Sequence, residues 1–182
     1  MQNKHLKIIE NYGVKLKPLM AKDLELVRRW RNDPKIARFM EFRDYITDDM
    51  QIKWFEKISN GNNFFYITEF EDKDIALANI KDIDFENKIG EGGLFIWDDN
   101  HTDSIISYKI IYALYDFAFE KLGLTQIECH VLRDNKRAID YNKSLGFKLQ
   151  PNQDVILNQL YRLNRDDYSS TKNKFLKYII NS

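Results

Sequence analysis

The longest regular pattern of apolar positions predicts a buried helix in the middle of the chain. Between residues 104 and 122 apolar side chains recur every three or four positions, and Gly123 follows as a typical helix end. A second apolar stripe predicts a helix over residues 21–31. A third helix is expected after Thr47, which can cap it, and its stripe places Met50 among the buried side chains.

Alternation of apolar and polar residues predicts strands on both sides of these helices. Two further helices are expected over residues 135–145 and 167–180. The predicted strands are 14–19, 64–70, 75–83, 91–98, 126–132, 147–150 and 157–163. Antiparallel strands come first and a strand–helix–strand crossover comes later. This order predicts an α+β fold (mixed α/β), with a central, mixed, mostly antiparallel twisted sheet flanked by helices.

Composition narrows the class of protein without changing the fold. A chain of 182 residues fits one domain, so residues 1–182 are expected to form a single unit. The 28 lysines and arginines balance the 28 aspartates and glutamates, which argues against a nucleic-acid partner. Since no segment has the pattern of a signal peptide or a membrane span, a cytoplasmic protein with no membrane partner is expected. Cys129 is the one cysteine, which argues against a disulfide framework, and no metal site is expected.

Three stretches of the sequence carry a further signal through their order. The first is Leu16-Lys-Pro-Leu19 followed by Trp30-Arg-Asn-Asp-Pro34, and the second is Glu91-Gly-Gly-Leu-Phe-Ile-Trp97 before the long helix. The third is Val131-Leu-Arg-Asp-Asn135. Together they resemble the GNAT superfamily of N-acetyltransferases, in its branch similar to ribosomal-protein N-terminal acetyltransferases. With Gln51-Ile-Lys-Trp-Phe55, the first stretch looks most like enzymes that acetylate amino groups on nucleotide-linked sugars.

This resemblance implies a GNAT fold in which strands 91–98 and 126–132 are parallel neighbours that splay apart at a wedge for acetyl-CoA. The pantetheine arm pairs with the open edge of the first strand, and the pyrophosphate lies at the N-terminus of the long helix. The cofactor-binding residues that the resemblance implies are Phe95, Ile96, Trp97, Ser104, Ile105, Ile106, Ser107 and Asn135. The segment 100–107 departs from the family pattern, because it has no glycine and Asp103 adds a negative charge there.

The resemblance also implies a set of catalytic residues around Asn135. His130 stands five residues before it, where many members of the family have a glutamate, and a neutral imidazole can accept a proton from an amine. The alternative for His130 is a hydrogen-bonded core histidine. Glu128 lies on the same strand face and can support His130 or act through water. The usual acid is a tyrosine seven residues after Asn135; Asn142 takes that position here and Tyr141 is its neighbour.

Arg31 and Glu41 are the candidate substrate-binding residues on the acceptor side. An arginine before the turn at residues 32–34 can hold a nucleotide phosphate by a bidentate contact. Glu41 can meet an amine or a sugar hydroxyl. Glu91, at the start of the splayed strand, is either a second acid–base group or a solvated strand end.

The hypothesis from the sequence is transfer of acetyl from acetyl-CoA to a primary amine by direct attack in a ternary complex, since Cys129 lies out of phase with His130. The favoured acceptor is an amino sugar on a nucleotide. A protein N-terminus and a polyamine stay open, the polyamine because Asp44, Asp48 and Asp49 can form an acidic wall. The alternative from another class is a GNAT-fold binding module without catalysis. A homodimer is also left open.

Overall fold

Eight strands form one sheet in the computed structural model, which describes residues 7–102 and 104–180. The strands are β1 (Ile9–Asn11), β2 (Val14–Pro18), β3 (Phe64–Phe70), β4 (Lys73–Asp84), β5 (Ile89–Ile96), β6 (Gln126–Leu132), β7 (Lys148–Leu149) and β8 (Asn158–Asn164). Their order across the sheet is β1-β2-β3-β4-β5-β6-β8-β7. β5 and β6 run parallel, and the other neighbouring pairs are antiparallel. The predicted mixed, mostly antiparallel sheet is confirmed.

Helices cover both faces of this sheet. In the described part of the chain they are α1 (Leu24–Arg31), α2 (Pro34–Ala37), α3 (Asp48–Ile58), α4 (Ile105–Asp116), α5 (Lys136–Ser144) and α6 (Arg165–Ile180). Thr47 caps α3, since its hydroxyl accepts the N–H of Met50 at 3.3 Å. Among the described residues, none of these helices is both long and apolar enough to cross a membrane.

The two parallel strands pair only at their beginnings. Residues 89–91 of β5 face residues 126–128 of β6, and the register ends there. Further along, β5 stays beside β4 and β6 stays beside β8. The gap between β5 after Glu91 and β6 after Glu128 is called the wedge below. It confirms the splayed parallel strands expected from the sequence.

Helix α4 lies on one face of the sheet and is buried along almost its whole length. At its end Asp116 accepts hydrogen bonds from the hydroxyl of Tyr12 at 2.6 Å and from that of Tyr168 at 2.7 Å. Lys172 of α6 contributes an ammonium at 2.6 Å from the same carboxylate. This cluster joins α4, α6 and the turn between β1 and β2.

Helices α1 and α3 cover the opposite face around a smaller apolar cluster. On α3, Gln51 is only 4% exposed, whereas Met50 is 40% exposed. The prediction that Met50 lies inward is therefore wrong. Gln51 precedes Trp54 and Phe55 by three and four residues, so it shares the buried side of the helix with both of them.

The strand β1 has no counterpart in the sequence prediction. It is only three residues long, with the apolar Ile9 followed by the polar Glu10 and Asn11, so it is too short to show alternation. Tyr12 and Gly13 have positive φ angles of 52° and 75°, which form the tight turn that pairs β1 with β2.

Candidate active site

A cavity of about 1020 Å³ connects the wedge with a recess under α1 and α3. Its walls come from β4, β5 and β6 and from the helices around them. Of the residues singled out in the sequence, it is lined by Arg31, Glu41, Phe95, Ile96, Ser104, Ser107, His130, Asn135, Tyr141 and Asn142. Trp97, Ile105, Ile106 and Glu128 lie outside the lining. The fold therefore gathers residues from distant parts of the chain around one cavity.

His130 faces this cavity and is not a core residue. Its side chain is 38% exposed, and its Nδ1 lies 3.4 Å from Oε2 of Glu91 across the parallel pair. Glu91 also lies 3.2 Å from the ammonium of Lys81. If the ring carries its proton on Nδ1, which faces this carboxylate, Nε2 is the nitrogen that can accept a proton from an amine.

Glu91, rather than Glu128, is the carboxylate beside His130. Glu128 instead accepts a hydrogen bond from Nε of Arg162 at 2.7 Å, on the neighbouring strand β8. The expectation that Glu128 supports His130 directly is therefore corrected. The reading of Glu91 as a solvated strand end is wrong as well, since Lys81 and His130 both contact it.

Only one of the residues expected at the open edge of β5 lies there. The N–H of Trp97 donates to the carbonyl of Ile75 at 3.0 Å, and Lys35 donates to the carbonyl of Trp97 at 3.1 Å. Backbone groups point to alternate sides along a strand, so the N–H and C=O groups of Phe95, two residues before Trp97, also point toward β4. Leu94 and Ile96 therefore present their N–H and C=O groups to the wedge. Of the three residues expected to pair with pantetheine, only Ile96 has this orientation.

Two glycines leave space where the wedge begins. A Cβ on Gly92 would lie 2.5 Å from the hydroxyl oxygen of Tyr115, and one on Gly93 would lie 2.7 Å from Oδ1 of Asn79. Real Cβ atoms essentially never come this close to another heavy atom. The absence of side chains at these positions lets Tyr115 and Asn79 pack directly against β5, a role that was not expected for the Gly-Gly pair.

The N-terminus of α4 is closed by its own serine side chains. Ser104 Oγ accepts the N–H of Ile106 at 3.2 Å and donates to the carbonyl of His101 at 2.9 Å. Ser107 Oγ donates to the carbonyl of Ser104 at 2.9 Å. A bound phosphate would have to replace part of this cap, so the contact expected from residues 104–107 stays a prediction.

Two basic side chains add positive charge beside the acidic loop before α4. Lys35 pairs with Asp99 at 2.8 Å, and Arg137 of α5 donates to the carbonyl of Thr102 at 2.6 Å. Asp103 lies outside the described residues. Arg137 lines the cavity and was missed by the sequence analysis, although it stands two residues after Asn135 in the first turn of α5. Its guanidinium brings a positive charge to the segment that lacks glycine.

The two candidate acids on α5 already make hydrogen bonds within the protein. The hydroxyl of Tyr141 donates to the carbonyl of Ser107 at 2.8 Å, and burial raises the pKa of this phenol above its ordinary value. Asn142 donates to the carbonyl of Ala138 at 2.8 Å and accepts the S–H of Cys129 at 3.5 Å. Both residues line the wedge, but neither has a geometry that marks it as the acid, and these roles stay predictions.

Three buried nitrogen donors without a partner line the recess under α1 and α3. Within residues 7–102 and 104–180 these atoms are Nε of Arg31, Nε2 of Gln51 and Nδ2 of Asn79. Burial lowers the pKa of the Arg31 guanidinium, and in the same described ranges no carboxylate pairs with it. Gln51 and Asn79 were missed by the sequence analysis, because an amide on a strand or a helix has no local signal for its function.

Acidic residues expected to form a wall for a polyamine lie elsewhere. Asp48 pairs with Arg28 at 2.7 Å, and Asp48 and Asp49 border a separate shallow depression. Asp44 is exposed and lies outside the cavity lining. Glu41 is at the cavity rim, where it accepts a hydrogen bond from the side chain of Asn158 at 3.1 Å.

Comparison with known proteins defines the class of protein that this fold and site belong to. Residues 16–160 match the family model described as an acetyltransferase (GNAT) domain. The chain is therefore a member of the GNAT family and an acetyltransferase. Enzymes of this family use acetyl-CoA and act on amine substrates.

Individual relatives agree with this assignment. The acetyltransferase PseH of Campylobacter jejuni strain 81-176 is 30% identical over 122 residues, which are 66% of this chain and 74% of that protein. The structure of apo FdhC, a nucleotide-linked sugar GNAT, has a TM-score of 0.78 at 16% identity, covering 95% of this chain and 98% of that one. A spermidine N-acetyltransferase from Vibrio cholerae in complex with CoA and spermine has a TM-score of 0.75 at 19% identity, covering 87% of this chain and 99% of that one. The two structures are similar to this chain in fold.

Proposed function

We propose that the protein transfers the acetyl group of acetyl-CoA to a primary amine of an amino sugar carried on a nucleotide. The observation that carries this proposal is the set of unpartnered donors of Arg31, Gln51 and Asn79. They line the same cavity as His130 and Glu91. An acceptor in this recess can therefore reach both the donors and the basic nitrogen.

The donors favour an acceptor that is rich in oxygen atoms and negatively charged. A buried N–H without a partner costs free energy, and a ligand that supplies acceptor atoms removes this cost. Arg31 adds a positive charge in a desolvated position, where a phosphate oxygen would form a charge-assisted hydrogen bond. A nucleotide diphosphate supplies such oxygens, while the sugar amine extends toward His130.

A polyamine fits the same recess poorly. Arg31, Lys35 and Lys81 all line the cavity, and a polycation would be repelled by them unless carboxylates compensated. Glu91 and Asp99 already pair with Lys81 and Lys35. The other two carboxylates of the lining, Glu41 and Asp140, are matched in number by Arg38 and Arg137, which leaves the charge of Arg31 in excess. The charge of the recess therefore supports the nucleotide-linked acceptor over the polyamine.

On the cofactor side, the residues of the wedge fit the arm of acetyl-CoA. Leu94 and Ile96 offer backbone groups to an added strand, and Asn135 and Arg137 lie at the outer end. When bound there, acetyl-CoA supplies the activated acetyl group. His130 accepts a proton from the amine while Glu91 holds the ring. Burial raises the pKa of the Cys129 thiol, which keeps it protonated and argues for direct transfer without a covalent enzyme intermediate.

An acceptor panel tests this proposal. Release of the CoA thiol is measured with a nucleotide-linked amino sugar, the free amino sugar, spermidine and a peptide with a free N-terminus. We expect kcat/KM to be highest for the nucleotide-linked sugar and at least about a hundredfold lower for the free sugar, since the charge-assisted contacts are lost. Preference for spermidine or the peptide would contradict the proposal.

A matched pair of variants connects this preference to the recess. Arg31→Gln should raise KM for the nucleotide-linked sugar and leave the affinity for acetyl-CoA unchanged. Arg29→Gln is the control, because Arg29 is exposed on the same helix and lies outside the cavity lining. Equal effects of the two substitutions would remove Arg31 from acceptor binding.

A further inference from the structure

The wedge contains a hydroxyl to which the reaction described so far gives no role. Tyr115 of α4 is 2% exposed, and its ring packs among aromatic neighbours that include Phe119 and Phe147. It also lines the cavity. Within the part of the chain that the structure describes, its hydroxyl makes no hydrogen bond to another residue.

This hydroxyl lies at the point where the two parallel strands separate. A Cβ on Gly92 would be only 2.5 Å from its oxygen, so the phenol is in contact with β5 one residue beyond Glu91, the last residue of β5 in the parallel register. Gly92 is thus the residue that leaves space for the hydroxyl. On the other side of the wedge, Cys129 and Tyr141 are near enough to interact electrostatically with Tyr115.

Packing alone does not explain a tyrosine at this position. A phenylalanine would keep the ring contacts, so packing accounts for the ring of Tyr115 and not for its hydroxyl. Tyr66 and Tyr112 bury hydroxyls without partners, but neither of these two residues lines the cavity. Among these three tyrosines, Tyr115 is the one whose hydroxyl a ligand in the wedge can reach.

We propose that the hydroxyl of Tyr115 donates a hydrogen bond to the carbonyl oxygen of the acetyl thioester. This inference rests on the proposed function, because it needs acetyl-CoA in the wedge. The amine nitrogen forms a bond to the carbonyl carbon, one amine proton passes to His130, and the carbon–sulfur bond breaks with its electron pair on sulfur. Tyr115 keeps its proton throughout and stabilises the negative charge that builds on the carbonyl oxygen.

The environment of Tyr115 suits a neutral donor. Burial raises the pKa of this phenol well above 10, so the proton stays on the oxygen at working pH. Tyr115 is therefore a hydrogen-bond donor and not the acid that protonates the leaving thiolate. This role also differs from those of Tyr141 and Asn142, whose polar atoms already bond to other groups.

Infrared difference spectroscopy with acetyl-CoA labelled with carbon-13 at the carbonyl tests the contact without needing the acceptor. A hydrogen bond lowers the carbonyl stretching frequency, so the bound thioester of the wild-type protein should absorb below that of Tyr115→Phe. Tyr112→Phe removes a buried hydroxyl from the same helix outside the cavity and should match the wild type. With the acceptor present, Tyr115→Phe should lower kcat on the order of a hundredfold, with an unchanged Kd for acetyl-CoA.

The outcomes separate this inference from the proposed function. If acetyl-CoA binds and the carbonyl band is the same in the wild type and Tyr115→Phe, the Tyr115 contact is overturned and the wedge assignment stands. If the wild-type protein binds no acetyl-CoA, both are overturned. Circular dichroism of Tyr115→Phe checks that the variant is folded. Gly92→Ala, which crowds the hydroxyl, should move the carbonyl band to higher frequency, as Tyr115→Phe does.

Discussion

At the scale of single residues, the proposed reaction depends on a histidine that a carboxylate holds in place. His130 and Glu91 belong to different strands, and their contact at 3.4 Å exists because β5 and β6 are in register for three residues before they separate. Lys81 contacts the other oxygen of Glu91. The ring is therefore oriented from one side and open to the cavity on the other.

The first prediction concerns this pair. His130→Ala should lower kcat by about a hundredfold or more, the usual contribution of a general base, with little change in the affinity for acetyl-CoA. Glu91→Gln should cause a smaller loss of kcat, and Glu128→Gln a smaller loss still, because Glu128 bonds to Arg162. Steady-state kinetics of the three variants measure kcat, and calorimetry measures their affinity for acetyl-CoA. Equal losses in kcat and affinity for His130→Ala would exclude it as the base.

At the scale of elements, we expect the start of α5 to contribute both to stability and to cofactor binding. The side chain of Asn135 accepts the N–H of Ala138 at 3.1 Å, and the residue lines the cavity. Asn135→Ala should cost about 1 kcal/mol of unfolding free energy and weaken acetyl-CoA binding. Asn135→Ser keeps a capping hydroxyl and should lose affinity alone. Denaturant unfolding and titration with acetyl-CoA separate the two roles in both variants. Unchanged affinity in Asn135→Ser would refute the predicted contact of Asn135 with the cofactor.

The cluster around Asp116 joins α4, α6 and the β1–β2 turn behind the site. Asp116→Asn leaves the largely buried ammonium of Lys172 without its charge partner, so we expect a loss of about 3 kcal/mol in the free energy of unfolding. The control is Lys148→Gln, which removes the pair of Lys148 with Asp167 of α6. Since Lys148 is 66% exposed, this control should cost below about 1 kcal/mol. Similar losses in both variants, measured by urea unfolding, would contradict the structural role of the cluster.

The helices and strands were predicted correctly where the spacing of apolar residues matches the side that is buried. The strand 126–132 matches the structure in both ends, and α4 was predicted from its apolar stripe and from Gly123, which has a φ of 72°. β1 was missed because its stability comes from pairing with β2 and not from its own pattern. Met50 was misplaced because it stands four residues before Trp54, just as Gln51 stands four residues before Phe55, so helical spacing alone did not choose between the two positions.

At the scale of the whole molecule, sequence patterns identify several residues that line the cavity, but not the residues that these side chains contact. His130, Asn135 and Arg31 were predicted from their positions in motifs, and all three line the cavity. The contact of His130 with Glu91 depends on strand register, and the grouping of Arg31 with Gln51 and Asn79 depends on how α1 and α3 pack on the sheet. Such long-range arrangements leave no local pattern in the sequence.

Binding of acetyl-CoA to the wild-type protein tests the central claim most directly. The open edge of β5 and the guanidinium of Arg137 fit the cofactor, although the loop before α4 lacks glycine and the N-terminus of α4 is capped by Ser104. Calorimetric titration should give a dissociation constant on the order of 1 to 100 µM. An absence of binding at millimolar acetyl-CoA would contradict the claim, and it would mean that the chain keeps the fold of an acetyltransferase without the activity.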